Sequence, residues 1–402
     1  MGGKVSRVRV TGPLTAHAAG FAAELSRVGY TENSTADQVR LLAHLSRWLS
    51  TRKLDVTDLT PAVGTAFLAM RRAAGYRLWL SPKALEPLLR YLQRLGALPP
   101  EPVVTPTPSE TLLARYREYL TSERGLTSST AAGYILLVRS FLRKWERPDG
   151  TLELQTLAPR DVTGYLMTDV VGHGSAKLIV TSLRSFLSFL HVEGKIAQPL
   201  SSAVPSVAST RLAGLPRALE PGHVQRLLAT CDRRTIVGRR DFAVMTMLVR
   251  LGLRAGEVAA LDLEDVDWRS GDLIVRGKGD RRERLPLPED VGRAVTAYLK
   301  RGRSACDSRR VFLRVRAPHR GLTSGGITAI VIGASLKAGL PPVAAHRLRH
   351  TAATAMLRAG ASLQEIGQVL RHRSPLSTAI YAKVDRDALR QLARPWPVGG
   401  AA

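Results

Sequence analysis

Two proline-rich stretches, at residues 99–108 and 199–221, limit how this chain can fold more than any other feature of its sequence. Proline interrupts helices and strands, so each stretch separates the segments that fold on either side of it. Together the two stretches divide the 402 residues into three blocks of ordinary domain size. The blocks are residues 1–100, 108–200 and 217–402.

The first two blocks have the pattern of amphipathic helices. Large apolar residues recur mainly at spacings of three and four, as they do along one face of a helix. The pattern is carried by Val39, Leu42, Leu45 and Trp48 in the first block and by Leu136, Val138, Phe141 and Trp145 in the second. We therefore expect two small helical bundles.

The two helical blocks also resemble each other. Three landmarks of the first block return in the same order in the second block, at an offset that changes by only a few residues. The pairs are Gly29-Tyr30-Thr31 with Gly125-Leu126-Thr127, Leu59-Thr60-Pro61 with Leu157-Ala158-Pro159, and Arg90 with Arg184. A steady offset predicts a duplicated domain, although unrelated helical bundles share apolar patterns and can imitate one.

The chain is strongly basic, with 59 lysines and arginines against 33 aspartates and glutamates and a formal net charge of +26. The basic residues extend along the whole chain, which favours a polyanionic partner through electrostatic steering and counterion release. Nucleic acid is the expected partner, and a merely soluble basic protein is the alternative. Unless the first block binds protein instead, its phosphate contacts are expected to be Arg27, Arg40, Arg47, Arg52 and Lys53.

Cysteine usage and hydropathy point to the cell interior. Cys231 and Cys306 lie far apart without metal-ligand spacing, so neither a disulfide framework nor a zinc module is indicated. The start of the chain has no apolar signal core, and the apolar run at residues 242–249 is far shorter than the roughly 18 residues of a membrane span. We expect a cytoplasmic, nucleoid-associated protein without a membrane partner.

The third block contains the candidate phosphate-binding and catalytic residues. A helix around residues 241–250 breaks at Gly252, and the next helix opens with Arg254-Ala255-Gly256-Glu257. An arginine at a helix N-terminus lies where free backbone N–H groups already favour a phosphate. Short strands and further helices are expected at residues 266–268, 272–276, 282–287 and 345–358, and after the capping box Ser362-Leu363-Gln364-Glu365.

Four more side chains complete a basic constellation with a tyrosine. Lys278 lies in the glycine-rich turn between the last two strands, although a lysine at a hairpin tip is often only solvated. His346 and Arg349 are three residues apart, so on a helix they share a face and can approach one phosphate together. His372 follows in a basic turn, and Tyr381 comes nine residues later.

Two other motifs in the chain are incomplete. His346 and His350 have the spacing of a zinc pair, but a metalloprotease motif has glutamate where this chain has Arg347. Residues 172–177 faintly resemble a phosphate loop, but they lack the Walker spacing and no Gly-Lys-Ser or Gly-Lys-Thr follows. Neither a metal nor a nucleotide cofactor is expected.

In its residue types, order and spacing, the third block resembles the catalytic domain of the tyrosine recombinases, the Xer and phage integrase proteins. The matching positions are Arg254 with Glu257, Lys278, His346, Arg349, His372 and Tyr381. The resemblance is strong over residues 221–384 and weaker over residues 110–198, which look like the family's helical core-binding domain. Before residue 100 it rests only on the internal repeat.

The resemblance implies a site-specific recombinase that cuts and rejoins DNA without a cofactor. It makes Tyr381 the nucleophile, which gives a 3'-phosphotyrosyl enzyme and a free 5'-hydroxyl. Arg254 and Arg349 would neutralise the charge that grows on the non-bridging oxygens. Lys278 would be the general acid toward the leaving 5'-oxygen.

The resemblance also implies roles for the histidines of the constellation. His346 would take or steer the tyrosine proton, and His372 would hydrogen-bond the phosphate. Glu257 would be a supporting residue, and His350 would be structural.

The fold class expected is mostly α with a small antiparallel sheet (α+β). Two helical DNA-binding domains, the first like an arm-binding or core-binding domain and the second like the SAM-like core-binding domain, would precede the catalytic domain. The partners implied are double-stranded DNA with specific recombination sites and further copies of the chain, as a dimer on each site and a tetramer in synapsis. A short helix at residues 387–392 would dock on a neighbouring subunit.

Two other functions fit parts of the constellation. A type IB topoisomerase uses the same arginine, lysine, histidine and tyrosine chemistry, and a DNA-binding protein without catalysis would share the charge. The glycine-lysine-glycine turn and the interval from His372 to Tyr381 resemble those of recombinases, and an intact tyrosine with both arginines argues against an inactive binder.

Overall fold

The computed structural model describes most of the chain. The described residues are 5, 7–98, 106–168, 176–206, 218–277, 282–372, 374 and 376–384. They are mostly helical, with a three-stranded antiparallel sheet, as the sequence predicts. By their internal contacts, residues 1–100 form one compact unit with residues 214–402, and residues 101–213 form a second unit.

The first module consists of four helices, α1 to α4, with bounds Ala18–Arg27, Glu32–Thr51, Pro61–Ala73 and Pro82–Arg94. The hydroxyl groups of Thr31 and Thr60 cap α2 and α3 by accepting backbone N–H groups, and prolines at the first helical positions favour α3 and α4. The apolar pattern of α2 is confirmed, because its four predicted core residues are buried with Phe21, Phe67 and Leu92.

The second module also has four helices, α5 to α8, with bounds Pro108–Glu118, Ser128–Leu142, Pro159–Thr168 and Ala176–Val192. Its core centres on Tyr116, Phe186 and Phe189. The predicted apolar face of α6 was partly wrong: Leu136 is exposed, and its neighbour Ile135 packs into the core instead. A helical spacing leaves this one-residue choice open, and the tertiary packing decides it.

The repeated landmarks take equivalent places in the two modules. Gly29 and Gly125 both adopt left-handed φ angles, of +93° and +59°, just before the threonine that caps the second helix of the module. The Leu-Thr-Pro and Leu-Ala-Pro landmarks begin the third helices, and the paired arginines lie in the fourth. The two modules therefore share their element order and their helix starts.

The C-terminal block combines helices with the sheet. Its elements are α9 Pro221–Ala229, α10 Ile236–Arg250, α11 Ala255–Ala260, β1 Val266–Asp267, β2 Asp272–Arg276, β3 Arg282–Pro286, α12 Glu289–Arg301, α13 Ser324–Lys337, α14 Ala345–Arg358, α15 Leu363–Val369 and α16 Leu376–Ala379. The strands pair in the order β1-β2-β3, and Ile274 lies opposite Arg284. Buried side chains from α10, α12, α13 and α14 form the core beneath the sheet, including Val244, Val295 and Leu348.

Two of the expected features lie outside the described residues. One is Lys278 in the turn between β2 and β3, and the other is the short helix expected at residues 387–392. None of the described helices is long and apolar enough to cross a membrane.

The first module contacts the C-terminal block within their common unit. The backbone N–H of His319 donates to the carbonyl of Val28 at 2.9 Å, and the guanidinium of Arg27 lies 2.6 Å from the carboxylate of Asp307. Glycine suits this contact, because residue 29 has a φ of +93° and a Cβ there would lie 2.0 Å from the imidazole of His319, which would have to move.

Candidate active site

Arg254 occupies the position that the sequence predicts, at the N-cap of α11. The chain reaches it through Gly252, whose φ of +58° favours glycine and where a Cβ would lie 2.5 Å from the side chain of Leu370. The Arg254 guanidinium lies 2.6 Å from one oxygen of Glu257, and the other oxygen accepts the Arg254 backbone N–H at 2.9 Å. The arginine side chain stays 44% exposed, so its remaining donors face the solvent.

The carboxylate of Glu257 binds a second arginine that the sequence analysis did not single out. Arg371 lies 2.8 Å from Glu257, and both side chains are about 95% buried, with exposed fractions of 4% and 5%. Burial alone would raise the pKa of Glu257, but the charges of Arg371 and Arg254 lower it below its usual value. The signal in the sequence was only the basic turn around His372. Arg371 has a φ of +55°, which a non-glycine residue adopts at a cost.

Arg371 also approaches the sheet. Its Nε lies 3.9 Å from a carboxylate oxygen of Glu283 on β3, the strand that follows the lysine turn. One buried guanidinium therefore connects α11, the turn before His372 and strand β3.

Arg349 is the most buried charged side chain at the site, with an exposed fraction of 2%. It donates to the backbone carbonyl of Gly252 at 2.6 Å and to that of Leu370. Burial and the nearby charge of Arg254 lower the pKa of Arg349 to about 10, which leaves the guanidinium charged at neutral pH.

The structure pairs the candidate nucleophile with a different histidine from the one expected. The Tyr381 hydroxyl lies 2.8 Å from Nδ1 of His350, whereas His346 contacts that same His350 ring edge-on at 4.6 Å between centroids. His346 is therefore separated from the hydroxyl by the His350 ring in this arrangement, because the ring one helical turn further along α14 faces Tyr381. The role of His346 in moving the tyrosine proton and the structural role of His350 stay predictions.

His372 and Tyr381 are neighbours as well. Their rings are nearly parallel with centroids 6.5 Å apart, and Nδ1 of His372 lies 2.6 Å from the hydroxyl of Thr378, a partner that the sequence did not suggest. Burial, followed by the charges of Arg349 and Arg254, lowers the pKa of His372 to about 4. Burial and His346 lower that of His350 to about 4 as well. Both rings are therefore neutral at pH 7.

Tyr381 itself is covered. Its side chain is 1% exposed and packs with Ile366 and Leu370 in a small apolar cluster. Burial raises the pKa of the hydroxyl, and the charge of Arg349 partly offsets the rise. The phenol is thus protonated at neutral pH and shares a hydrogen bond with the neutral His350 ring, whose tautomer sets which of the two groups donates.

The constellation borders a cleft of about 1400 Å³ between α11, the hairpin strands and the turn after α15. Arg254, Glu257, Arg371, His372 and Thr378 line it. Of the six catalytic candidates, the structure brings five together. The sixth, Lys278, lies outside the described residues.

The five basic candidates of the first module have varied surroundings. Arg27 is paired with Glu24 and with Asp307 of the C-terminal block, and Arg40 lies 2.5 Å from Asp37. The guanidinium of Arg52 stacks on Trp48 at 4.6 Å. Arg47 and Lys53 are exposed near the end of α2.

The chain is similar to known proteins along most of its length. A profile of the phage integrase family matches residues 217–387, and the phage integrase N-terminal SAM-like domain matches residues 113–194. A putative integrase/recombinase of Sinorhizobium fredii, y4rA, is 42% identical over 96% of this chain and 95% of its own. The tyrosine recombinase XerC of Oceanobacillus iheyensis is 31% identical over 70% of this chain and 94% of its own.

Solved structures share the fold. A lambda integrase dimer bound to a core site superposes with a TM-score of 0.53 at 20% identity, over 71% of this chain and 96% of that one. The Tn1549 transposon integrase in complex with a circular intermediate DNA gives a TM-score of 0.52 at 17% identity, over 70% and 99% of the two chains. Relatives, family profiles and site geometry lead to one conclusion: the chain belongs to the phage integrase family, the tyrosine-type site-specific recombinases.

Proposed function

We propose that this recombinase cuts and rejoins double-stranded DNA at specific sites with Tyr381 as its nucleophile. The observation that carries the proposal is the hydrogen bond between the Tyr381 hydroxyl and a neutral His350 beside Arg349, at a cleft that Arg254 and His372 line. A nucleophile, a proton acceptor and two guanidinium groups are the components that phosphodiester transfer needs.

The proposed step replaces one phosphoester bond with another. The Tyr381 oxygen attacks the phosphorus, its proton passes to the imidazole of His350, and the bond from phosphorus to the 5'-oxygen breaks. The leaving oxygen takes a proton from a general acid, which the family resemblance assigns to Lys278. The 3'-phosphotyrosyl bond keeps the energy of the diester, so rejoining is the same step reversed, with the 5'-hydroxyl of a partner strand as the attacker.

The two arginines would act on the phosphate in different ways. Arg254 projects from α11 with donors free toward the cleft, so it suits a direct bidentate contact with the non-bridging oxygens. Arg349 is fixed by two backbone carbonyls, so its charge stays in place when negative charge grows in the transition state.

The nucleophile has to move before it reacts. A tyrosine that is 1% exposed cannot meet a phosphate, so Tyr381 must leave the apolar cluster on DNA binding or assembly. His350 is the hydrogen-bond partner of the hydroxyl in the resting arrangement, and we propose that the short segment Ile380–Val384 moves to expose the hydroxyl while it stays within reach of His350.

The assembly and the domain roles are part of the same proposal. Lambda integrase has been solved as a dimer bound to a core site and as a tetramer bound to a Holliday junction. We propose that this chain also forms a dimer on each site and a tetramer in synapsis, in the cytoplasm on nucleoid DNA. The first and second modules would hold the DNA, the C-terminal block would catalyse, and residues 387–392 would dock on a neighbouring subunit.

A nicked suicide substrate tests the nucleophile. The full-length protein first selects its site from a random duplex library, and the selected duplex is then nicked beside the cleavage position so that the released fragment diffuses away. The wild type should accumulate a covalent adduct, Tyr381→Phe should bind equally well without forming it, and the adduct should survive EDTA because the charge stabilisation comes from arginines. Equal trapping by Tyr381→Phe, or cleavage that needs a metal, would refute the proposal.

A matched histidine pair tests the proton acceptor. His350→Ala should slow adduct formation by about a hundredfold, and His346→Ala should slow it less, since general acid–base groups contribute 10²- to 10⁴-fold. The pH dependence of trapping should change only in His350→Ala. A larger loss in His346→Ala than in His350→Ala would make His346 the proton acceptor instead.

The same assay separates recombination from relaxation. A recombinase should exchange strands between two duplexes that carry the selected site, whereas a type IB topoisomerase would relax supercoiled plasmids regardless of that site.

A further inference from the structure

The loop that joins α3 to α4, at residues 74–81, has an unusual surface. Three of its side chains, Tyr76, Leu78 and Trp79, are large, apolar and exposed, and Leu78 is 72% exposed. Isolated exposed apolar residues are ordinary, but a cluster on one loop marks an interaction site.

The loop is held in a defined shape. Two arginines of α3 donate to its backbone: Arg71 Nη2 to the carbonyl of Leu78 and Arg72 Nη2 to that of Leu80, each at 3.3 Å. Trp79 adopts a φ of +60°, which an L side chain takes only where its surroundings fix it. The structure therefore maintains, against a conformational cost, an arrangement that presents Leu78 to the solvent.

The surface beside the loop is cationic. A cleft of about 450 Å³ is lined by Arg40, Arg71 and Arg77 and by a single carboxylate, Asp37, which pairs with Arg40 at 2.5 Å. The buried guanidinium of Arg71 stacks on Tyr76 at 4.0 Å, and its Nε has no hydrogen-bond partner. Because three guanidinium groups face one carboxylate, the charge of the cleft favours an anionic occupant.

We propose that residues 74–81 are a preformed duplex-DNA contact, in which Leu78 enters the minor groove while Arg77 and Arg40 hold the flanking phosphates. An apolar side chain beside arginines on a rigid support is the arrangement with which proteins open and bend the minor groove. A protein partner would use the apolar tip but would leave the arginine surplus without a counterpart. The inference rests on the proposed function, because it takes the DNA of the recombination site as the ligand.

Two exposed leucines of the same module give a matched test. Leu78→Ala removes the wedge, and Leu95→Ala removes a leucine just after α4 that is 54% exposed and lies outside the loop. The probe is the duplex selected by the full-length protein, with a fluorescent adenine analogue whose emission rises on unstacking. Leu78→Ala should bind about tenfold more weakly, lose the outer edge of the footprint and abolish the emission rise, whereas Leu95→Ala should match the wild type.

A charge variant supplies an independent readout. Arg77→Ala should lower the slope of log affinity against log salt by about 0.9, the value for one phosphate contact on duplex DNA. Since Leu78 and Arg77 are exposed, both variants should keep the melting temperature of the wild type, which excludes misfolding as the cause.

The outcomes separate this inference from the proposed function. Wild-type binding, footprint and emission in Leu78→Ala would overturn the loop contact. Normal DNA binding with impaired formation of higher complexes would also overturn it, in favour of a protein partner. Covalent adduct formation by the wild type and by Leu95→Ala reports on the proposed function, so its failure in both proteins would count against the proposed function alone.

Discussion

The two helical modules have the same plan but different surroundings. Each has four helices in the same order, with a left-handed glycine before the capping threonine of its second helix. In the first module that glycine, Gly29, lies against His319 of the C-terminal block, whereas a Cβ on Gly125 of the second module would meet nothing within 4 Å. The same local signal therefore supports a packed contact in one module and an open turn in the other.

A repeated motif thus determines the local backbone but not its tertiary neighbours. The Gly-x-Thr signature fixes a backbone turn and a helix start, because glycine adopts the positive φ and threonine caps the helix. It does not determine which neighbour the turn meets. The SAM-like profile matches the second module, and the XerC relative is matched over only 70% of this chain, so the first module needs an explanation of its own.

The largest expected effect comes from removing the first module. Deletion of residues 1–105 should lower the slope of log affinity against log salt by about 4 to 5 and shorten the footprint, if Arg40, Arg47, Arg52, Lys53 and Arg77 each hold a phosphate. Salt titration and footprinting on the selected duplex provide the measurement. An unchanged slope and footprint with weaker assembly would make the first module a protein-docking domain.

The glycine pair tests the packed contact directly. Gly29→Ala and Gly125→Ala both put alanine at a positive φ, at a cost of about 1 kcal/mol, but only Gly29→Ala also collides with His319. We expect a further loss of about 1–3 kcal/mol there, which should detach the module locally.

Hydrogen exchange at one amide measures that loss. The His319 N–H is bonded to Val28 in the wild type, so its exchange should accelerate in Gly29→Ala and stay unchanged in Gly125→Ala. Equal exchange in the two variants would mean that the contact is not formed in solution.

Acid should weaken the two units unequally. His350 and His372 have folded pKa values of about 4, below the ordinary value of about 6.5, so the folded state favours their neutral forms. Their contribution is complete above pH 6.5 and is lost as the pH falls toward 4, by about 1 kcal/mol for each ring because both keep some contact with water.

The second unit provides the internal control, since its described residues contain one histidine, His191. Pulsed hydrogen exchange along a urea gradient, at several pH values, reads the two units separately. His350→Gln should flatten the acid dependence of the unit that contains the C-terminal block. A parallel loss in both units would assign the acid sensitivity to other groups.

The sequence predicts the parts of this fold that local rules control. Helix starts at capped or proline positions, the strand positions and the N-cap place of Arg254 all follow from residue types at short range. The assignment of the chain to its family also follows from the order and spacing of the constellation. Exposure of Leu136 could not be predicted, because adjacent residues of a helix can exchange places on an apolar face.

The remaining parts of the site depend on contacts between distant segments. His346 and His350 lie on one helix, one turn apart, and only the docking of the Tyr381 segment decides which ring receives the hydroxyl. Arg371 and Glu257 are 114 residues apart, so their ion pair has no local signature. Such pairs follow from tertiary packing, which a single sequence does not reveal.

The smallest expected effects come from single arginines of the first module, which differ in whether an acidic partner already binds them. Arg47 is exposed near the end of α2, so Arg47→Ala should lower the salt slope by about 0.9 if it holds a phosphate. Arg27 is already paired with Glu24 and Asp307, so Arg27→Ala should leave the slope unchanged and weaken the contact with the C-terminal block only slightly, because water and salt screen an exposed ion pair.

The two variants are expected to change different measurements, so each variant serves as the control for the other. Salt titration should respond to Arg47→Ala alone, and exchange of the His319 amide should respond slightly to Arg27→Ala alone. If Arg27→Ala lowered the slope instead, its ion pair with Asp307 would have to open on DNA, and the first module would leave the C-terminal block when the complex forms. An unchanged slope in Arg47→Ala would remove this residue from the DNA-facing surface and leave the loop at residues 74–81 as the stronger candidate for the contact.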